Sequence, residues 1–251
     1  MEYLELMKHL GDDNNDGGGR KGARTTSGRQ RKGAKQALRG PDGVAYRLAI
    51  SACARAPGGH RWRDGIRLLN EMRENNATDT DVMAYTAAIA GCSEAGEYAT
   101  AMSLIAEMRR EGIQPNVVTL SAVINACASA SAKLGKGRED GDGTMEQEDV
   151  TAPMERALRL LEAMQSPKSP VKPNIVTYNA AIRACAEGLN LKGAFDLLRQ
   201  LKDDGLEPTI VTYGSLMTAC ERVGDIDAAS KVFRMVKEDT SQTYWSSPHL
   251  G

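Results

Sequence analysis

Five times along this chain one phrase returns, as YRLAISAC, YTAAIAGC, LSAVINAC, YNAAIRAC and YGSLMTAC, each ending on one of the five cysteines. The residues that open the phrase, Tyr46, Tyr85, Leu120, Tyr178 and Tyr213, lie 39, 35, 58 and 35 residues apart, a period of 35 with two insertions. Such a period specifies a stack of small supersecondary units and not a domain wrapped around one centre.

Each unit reads as a helical hairpin. In residues 175–209, Tyr178, Ala181, Ile182 and Cys185 fall at i, i+3, i+4 and i+7, the stripe of a helix buried on one side. After a turn at Gly188 to Asn190, a second stripe runs through Leu191, Ala194, Leu197, Leu198 and Leu201 until Gly205 and Pro208 stop it. Residues 82–116 follow the same plan, with a turn at Gly96 and a stop at Gly112 and Pro115. The unit at 43–81 has a longer inter-helix turn around Pro57, Gly58, Gly59 and His60. The unit at 117–174 carries an insertion, roughly 133–153, rich in Gly, Asp and Glu, which reads as a disordered acidic loop. The last unit spans 210–240, turns at Gly224 and leaves a tail at 241–251. The expected fold is an all-α, right-handed α-solenoid of about five helix-turn-helix repeats over residues 41–240, preceded by a disordered segment, 1–40.

Composition narrows the chemistry. Aromatic residues make up only 4% of the chain, which suits helices packed through small residues. No run of eighteen apolar residues is present, so no membrane span is expected. The five cysteines form no CxxC pair and sit on apolar helical faces, where a cysteine acts as a small buried hydrophobe. His9, His60 and His249 have no second ligand nearby in sequence, so no metal site is expected.

The phrases PNVVTLSAVINAC, PNIVTYNAAIRAC and PTIVTYGSLMTAC, with hairpin partners such as AMSLIAEMRREGIQPN and AFDLLRQLKDDGLEPT, resemble the pentatricopeptide repeat family over about residues 43–240. The resemblance implies single-stranded RNA as partner, one base per repeat, and a role in RNA processing, stability or translation. It implies base reading by the residue after each anchor together with the last residue of the repeat: Thr86 with Asn116, Ser121 with Asn174, and Asn179 with Thr209. By the family's pairing rule the first two pairs read adenine and the third a pyrimidine, with cytosine favoured. Base sandwiching falls to Val44, Met83, Val118, Val176 and Val211, two residues before each anchor. Arg47 with Asp81 fits no pairing in the rule, and Gly214 offers no side chain.

Charge bears on that reading. The whole chain has 32 Lys and Arg against 33 Asp and Glu, and residues 41–251 hold 23 against 28. Proteins that grip nucleic acid by its backbone usually present a basic surface. The family often places a phosphate-facing Lys two residues after the cysteine position; here Arg55 and Arg222 stand there, with Glu94, Ser129 and Glu187 between them. The alternative is a protein-binding scaffold of the same fold. Residues 20–39 carry eight basic residues and no acidic one, suited either to a phosphate-gripping arm or to a solvated linker. The resemblance implies a mitochondrion or chloroplast, although Glu2, Glu5, Asp12, Asp13 and Asp16 do not suit a transit peptide. No cofactor is expected and the chain is read as a monomer. The His-x-Glu and Cys-x-x-Cys elements of a zinc deaminase are absent, so any catalysis belongs to a partner such as a processing enzyme.

Overall fold

The structure, a computed structural model, describes residues 41–75, 82–139 and 147–245. Expectations for residues 1–40, for Asp81 and for the end of the tail at 246–251 lie outside the described residues. The described residues form ten α-helices in five hairpins and no strand: α1 (Gly43–Ala54) with α2 (Trp62–Glu74), α3 (Val82–Glu94) with α4 (Tyr98–Arg110), α5 (Val117–Glu139) with α6 (Gln147–Gln165), α7 (Ile175–Glu187) with α8 (Leu191–Asp203), and α9 (Ile210–Val223) with α10 (Ile226–Trp245).

Stacking follows from the residue types on the first helix of each pair. Successive first helices pack on one another in the order α1, α3, α5, α7, α9, and each second helix packs on its own partner and on the next first helix. First helices therefore need small residues on several faces, and Ala84, Ala88, Ala126, Ala128, Ala181, Ala184 and Ala186 are all buried. Second helices bury one stripe of large side chains: Leu68, Leu69 and Met72; Leu104, Ile105 and Met108; Leu161 and Met164; Leu197, Leu198 and Leu201. Each fully buried large side chain contributes about 1.5–3 kcal/mol of transfer free energy.

The anchor tyrosines close the hairpins. Tyr85 donates to Glu111 (2.8 Å), Tyr178 donates to Asp204 (2.6 Å) and Tyr213 donates to Asp239, each acceptor lying 26 residues on; Glu111 and Asp204 are the C-caps of their second helices, and Asp239 lies within the longer α10. Tyr46, whose hairpin has the longer turn, accepts from Asn75 instead (2.9 Å). Burial, aided by the bond to Asp204, pushes the Tyr178 phenol up to about 12.

The insertion differs from its expected form. Only residues 140–146 lie outside the described structure; α5 runs on to Glu139 and α6 begins at Gln147, so both ends of 133–153 are helical. The Ala-Ser-Ala-Ser-Ala-Lys-Leu run from Ala128 onward lets α5 continue, and Lys133 reaches the carbonyl of Ala95 at the end of α3. Pro153 sits inside α6 and deletes one i→i−4 bond near its start. The tail is likewise shorter than expected, since α10 continues to Trp245. Val117–Gly135 of α5 is long and apolar enough to cross a membrane by composition, with mean hydropathy 1.4, but it packs against α3, α4, α6 and α7 as an interior helix.

In the lengthened first turn, Gly58 and Gly59 take φ of 70° and 64°. A Cβ on Gly59 would stand 2.6 Å from the Ala95 nitrogen, so glycine is required where this turn meets the end of α3.

Candidate nucleic-acid interface

Along the first-helix face the residues two before each anchor project outward. Val44, Met83, Val118, Val176 and Val211 are 51%, 69%, 57%, 58% and 58% exposed. Five apolar side chains held out of the core at one register of five stacked helices form an apolar row that packing does not require.

Beside that row the pairs expected to read bases meet across the repeat boundaries. The last residue of one repeat is the N-cap of the next first helix, so it lies against the residue after the previous anchor. Asn174 caps α7 and Thr209 caps α9, each in a reciprocal capping box with the threonine three residues on. Asn116 makes the matching bond at the start of α5, accepting from the Thr119 backbone N–H at 2.9 Å.

Those three threonines, Thr119, Thr177 and Thr212, are fully buried and link the members of each pair. Asn116 Oδ1 accepts from both the backbone N–H and the hydroxyl of Thr119, which fixes which end of the amide is oxygen. Because the Thr119 proton goes to Asn116, the 2.6 Å contact between Thr86 and Thr119 is donated by Thr86. Thr86 is left with acceptor lone pairs, and Asn116 with its Nδ2 donor. The next boundary repeats this relay: Ser121 donates to Thr177 (2.7 Å), and Thr177 donates to Asn174 (3.0 Å).

The third pair has the opposite polarity. Thr212 donates to Asn179 Oδ1 at 2.6 Å, so the residue after the anchor keeps a donor, Nδ2, held only by a long 3.4 Å contact to Thr209. Sequence reasoning names the paired residues but misses the threonines that join them. Their signal is the recurring Val-Thr-Tyr or Val-Thr-Leu start, which is absent from the first two repeats, where Ala45 and Ala84 stand in the threonine position.

Val118, Val176, Val211, Ser121, Asn174 and Asn179 converge on one groove of about 570 Å³, which Ala122, Asn125, Ala180, Arg183 and Ser215 complete. Thr86, Asn116, Thr209, Val44 and Met83 continue the same rows outside its lining. Arg183 was not foreseen from sequence. It crosses from α7 to α5 and donates through Nη2 to the Asn125 carbonyl (3.0 Å), Asn125 Oδ1 (2.6 Å) and Ser129 Oγ (2.9 Å). Burial lowers its pKa, and the charges of Glu187 and Glu94 work in the opposite direction.

Of the two arginines in the expected phosphate-facing row, one is neutralised by a carboxylate and the other bonds a neutral hydroxyl. Arg222 pairs with Glu187 at 3.2 Å, Arg55 bonds Ser51 at 2.9 Å, and Ser129 accepts from Arg183. Among the described residues no group of three His, Cys, Asp or Glu is placed to hold a metal ion. All five cysteines are free and buried, and desolvation pushes the Cys92, Cys127 and Cys185 thiols up to about 12.

The family model of the PPR repeat family matches residues 80–129 and 173–222, and the model of the single PPR repeat matches 211–240. A pentatricopeptide repeat-containing protein of Arabidopsis thaliana is 31% identical over 140 residues, which are 52% of this chain and 17% of that protein. Pentatricopeptide repeat-containing protein 10 of Zea mays, a chloroplastic protein by name, is 36% identical over 87 residues, 34% of this chain and 11% of its own. The crystal structure of maize PPR10 superposes with a TM-score of 0.58 at 26% identity, over 80% of this chain and 25% of that one. The PPR domain of Arabidopsis protein-only RNase P 1, solved with tRNA, has the same fold at a TM-score of 0.55 and 12% identity, over 78% of this chain and 89% of its own. The chain thus spans less than a fifth of the length of these two curated relatives. Its five helical hairpins, its period and these matches together make it a member of the pentatricopeptide repeat family.

Proposed function

We propose that the first-helix face binds single-stranded RNA, one base per repeat, and acts by occupying its site in RNA processing, stability or translation within a mitochondrion or chloroplast. The observation that carries the reading is the hydrogen-bond polarity of the three linked pairs. Adenine presents an N–H donor and a ring-nitrogen acceptor on its Watson–Crick edge, the complement of a free hydroxyl acceptor beside an amide donor. Thr86 with Asn116 and Ser121 with Asn174 offer that combination. Cytosine presents two acceptors on the same edge, and Asn179 offers it a donor. The valine row supplies apolar walls for the base faces. The implied core is adenine, adenine, pyrimidine in the 5′ to 3′ direction.

The test is fluorescence anisotropy of the full chain with short RNAs containing adenine-adenine-cytosine, a scrambled RNA and the matching DNA. Preference for the matching RNA is expected. Replacing Asn179 by Asp removes the donor and leaves acceptors only, which suit the N3–H of uracil; preference at that nucleotide should move from cytosine to uracil by about 1–3 kcal/mol. Equal binding to every oligonucleotide would overturn the reading, and the acidic array would then point to a protein partner.

A further inference from the structure

The binding face described above has an electrostatic gap. A strand lying across it brings one negative charge per nucleotide, yet on α5 and α7 the residues two after the cysteine are Ser129 and Glu187. The Arg222 that follows on α9 is paired with Glu187. Positive charge enters the groove one turn earlier on α7, at Arg183.

Among the described residues Arg183 forms no direct ion pair, although the charges of Glu187 and Glu94 bear on it. Its three bonds all leave from Nη2 and all go to neutral acceptors, Asn125 O, Asn125 Oδ1 and Ser129 Oγ. Its Nε is buried without a hydrogen-bond partner. A guanidinium left in this condition carries a desolvation cost that neutral acceptors only partly offset, and a charged acceptor would offset it further. The side chain is also rigidly aimed: Asn125, which it grips, is itself fixed by donating from Nδ2 to Ser93 at 2.8 Å. Asn125 is therefore the middle of a polar line running Ser93, Asn125, Arg183 across three repeats. Asn125 and Arg183 line the same groove as Ser121, Asn174 and Asn179, and each stands four residues after the expected base-reading residue of its own helix, Ser121 or Asn179.

We propose that Arg183 binds the RNA backbone phosphate between the nucleotides read by Ser121 with Asn174 and by Asn179 with Thr209, taking over the role of the missing cations on α5 and α7. This rests on the RNA-binding reading above. Arginine suits the task because its planar fork can keep Nη2 on α5 while presenting Nη1 to a phosphate oxygen. The contact carries no sequence information, so it adds affinity and register without altering base preference.

The experiment compares the full-length chain with its Arg183→Gln and Arg183→Lys forms, using the adenine-adenine-cytosine RNA and a variant RNA with one base changed, over a range of salt. Arg183→Gln should weaken binding about tenfold, equally for both RNAs. It should also reduce the slope of log affinity against log salt by about 0.7, the loss of one phosphate contact on a single strand. Arg183→Lys should keep most of the slope, because the charge survives. An unchanged slope in Arg183→Gln, with wild-type protein still discriminating between the RNAs, overturns this proposal and leaves the base-reading function standing. Equal losses in Gln and Lys forms, with thermal unfolding shifted to match, would assign Arg183 a purely structural role and also overturn it. Wild-type protein without RNA binding would overturn both.

Discussion

Leu189 holds a backbone conformation that its side chain opposes. Its φ is 58°, in the left-handed region, and it is the only non-glycine residue there among those described. In the hairpins of α3 with α4 and α9 with α10 the equivalent position, eleven after the anchor, is Gly96 or Gly224, with φ of 66° and 76°. The sequence does place a glycine in the third of these turns, but one residue early: Gly188 has an ordinary φ of −84° and caps α7. The register of the turn is set by α8, where Asn190 caps the helix by accepting from the Gly193 N–H at 2.9 Å, and this forces the left-handed step onto Leu189. The side chain is 53% exposed and contributes little packing in return. A left-handed L-residue costs about 1–2 kcal/mol, partly offset by the greater chain entropy of glycine when unfolded. Leu189→Gly should therefore raise stability by roughly 1 kcal/mol, seen as a higher midpoint in urea with an unchanged slope; a lower midpoint would mean that the exposed leucine makes a contact of greater value.

Among the elements, the first helices show what a sequence reveals of a repeat and what it hides. The hairpins, their stripes and their stops are legible because burial on one face imposes a period on the residue types, as in Leu197, Leu198 and Leu201. The outward valine row is legible only through register, since an isolated exposed valine has no meaning of its own. The course of the insertion is not legible: its glycines suggest a loop, but the helix signal of Ala128 to Leu134 is strong enough to carry α5 to Glu139. The threonine relay is hidden for another reason. A threonine at a helix start looks like a cap residue, and its second role, accepting from the preceding repeat, exists only once two helices are stacked. Thr177 thus joins local structure to the contact between repeats: it satisfies the N-terminus of α7, and it holds Ser121 and Asn174 in one polar line. Thr177→Val keeps the shape and the Asn174 bond to the backbone N–H of residue 177, but leaves the Asn174 backbone N–H and the buried Ser121 hydroxyl without their partner. It should cost about 1–2 kcal/mol of stability and weaken discrimination at the nucleotide read by that pair. Thermal unfolding measures the first effect and anisotropy with single-base RNA variants the second; loss of stability with discrimination intact would separate the threonine from base reading.

At the scale of the whole molecule the five cysteines form a ladder with one rung in each repeat. All five are free and nearly inaccessible, Cys53 at 6% and Cys220 at 1% exposure, with Cys92, Cys127 and Cys185 at 0%. A solenoid draws its stability from neighbour interfaces, so a repeat with a neighbour on each side is held more firmly than one with a single neighbour. Within this chain Cys92, Cys127 and Cys185 lie on α3, α5 and α7, each stacked between two other first helices, whereas α1 and α9 each stack against one. Polar seams between second helices reinforce some interfaces: Arg73 with Glu107 and Glu111, Gln165 with Gln200 at 2.8 Å, and Lys202 with Asp239 at 3.2 Å. Only a thiolate reacts readily with a disulfide reagent, and burial keeps these thiols protonated and shielded, so labelling must await local opening. In native buffer near pH 8, an aromatic disulfide reagent should therefore label slowly, reaching all five thiols at once only in denaturant. With urea below the midpoint, mass spectrometry should find Cys53 and Cys220 modified first and Cys127 last, because Cys127 sits on the central helix and its repeat must lose support from both sides. Simultaneous modification of all five would instead mean that the array unfolds as one cooperative unit, with interface energies larger than the differences between repeats.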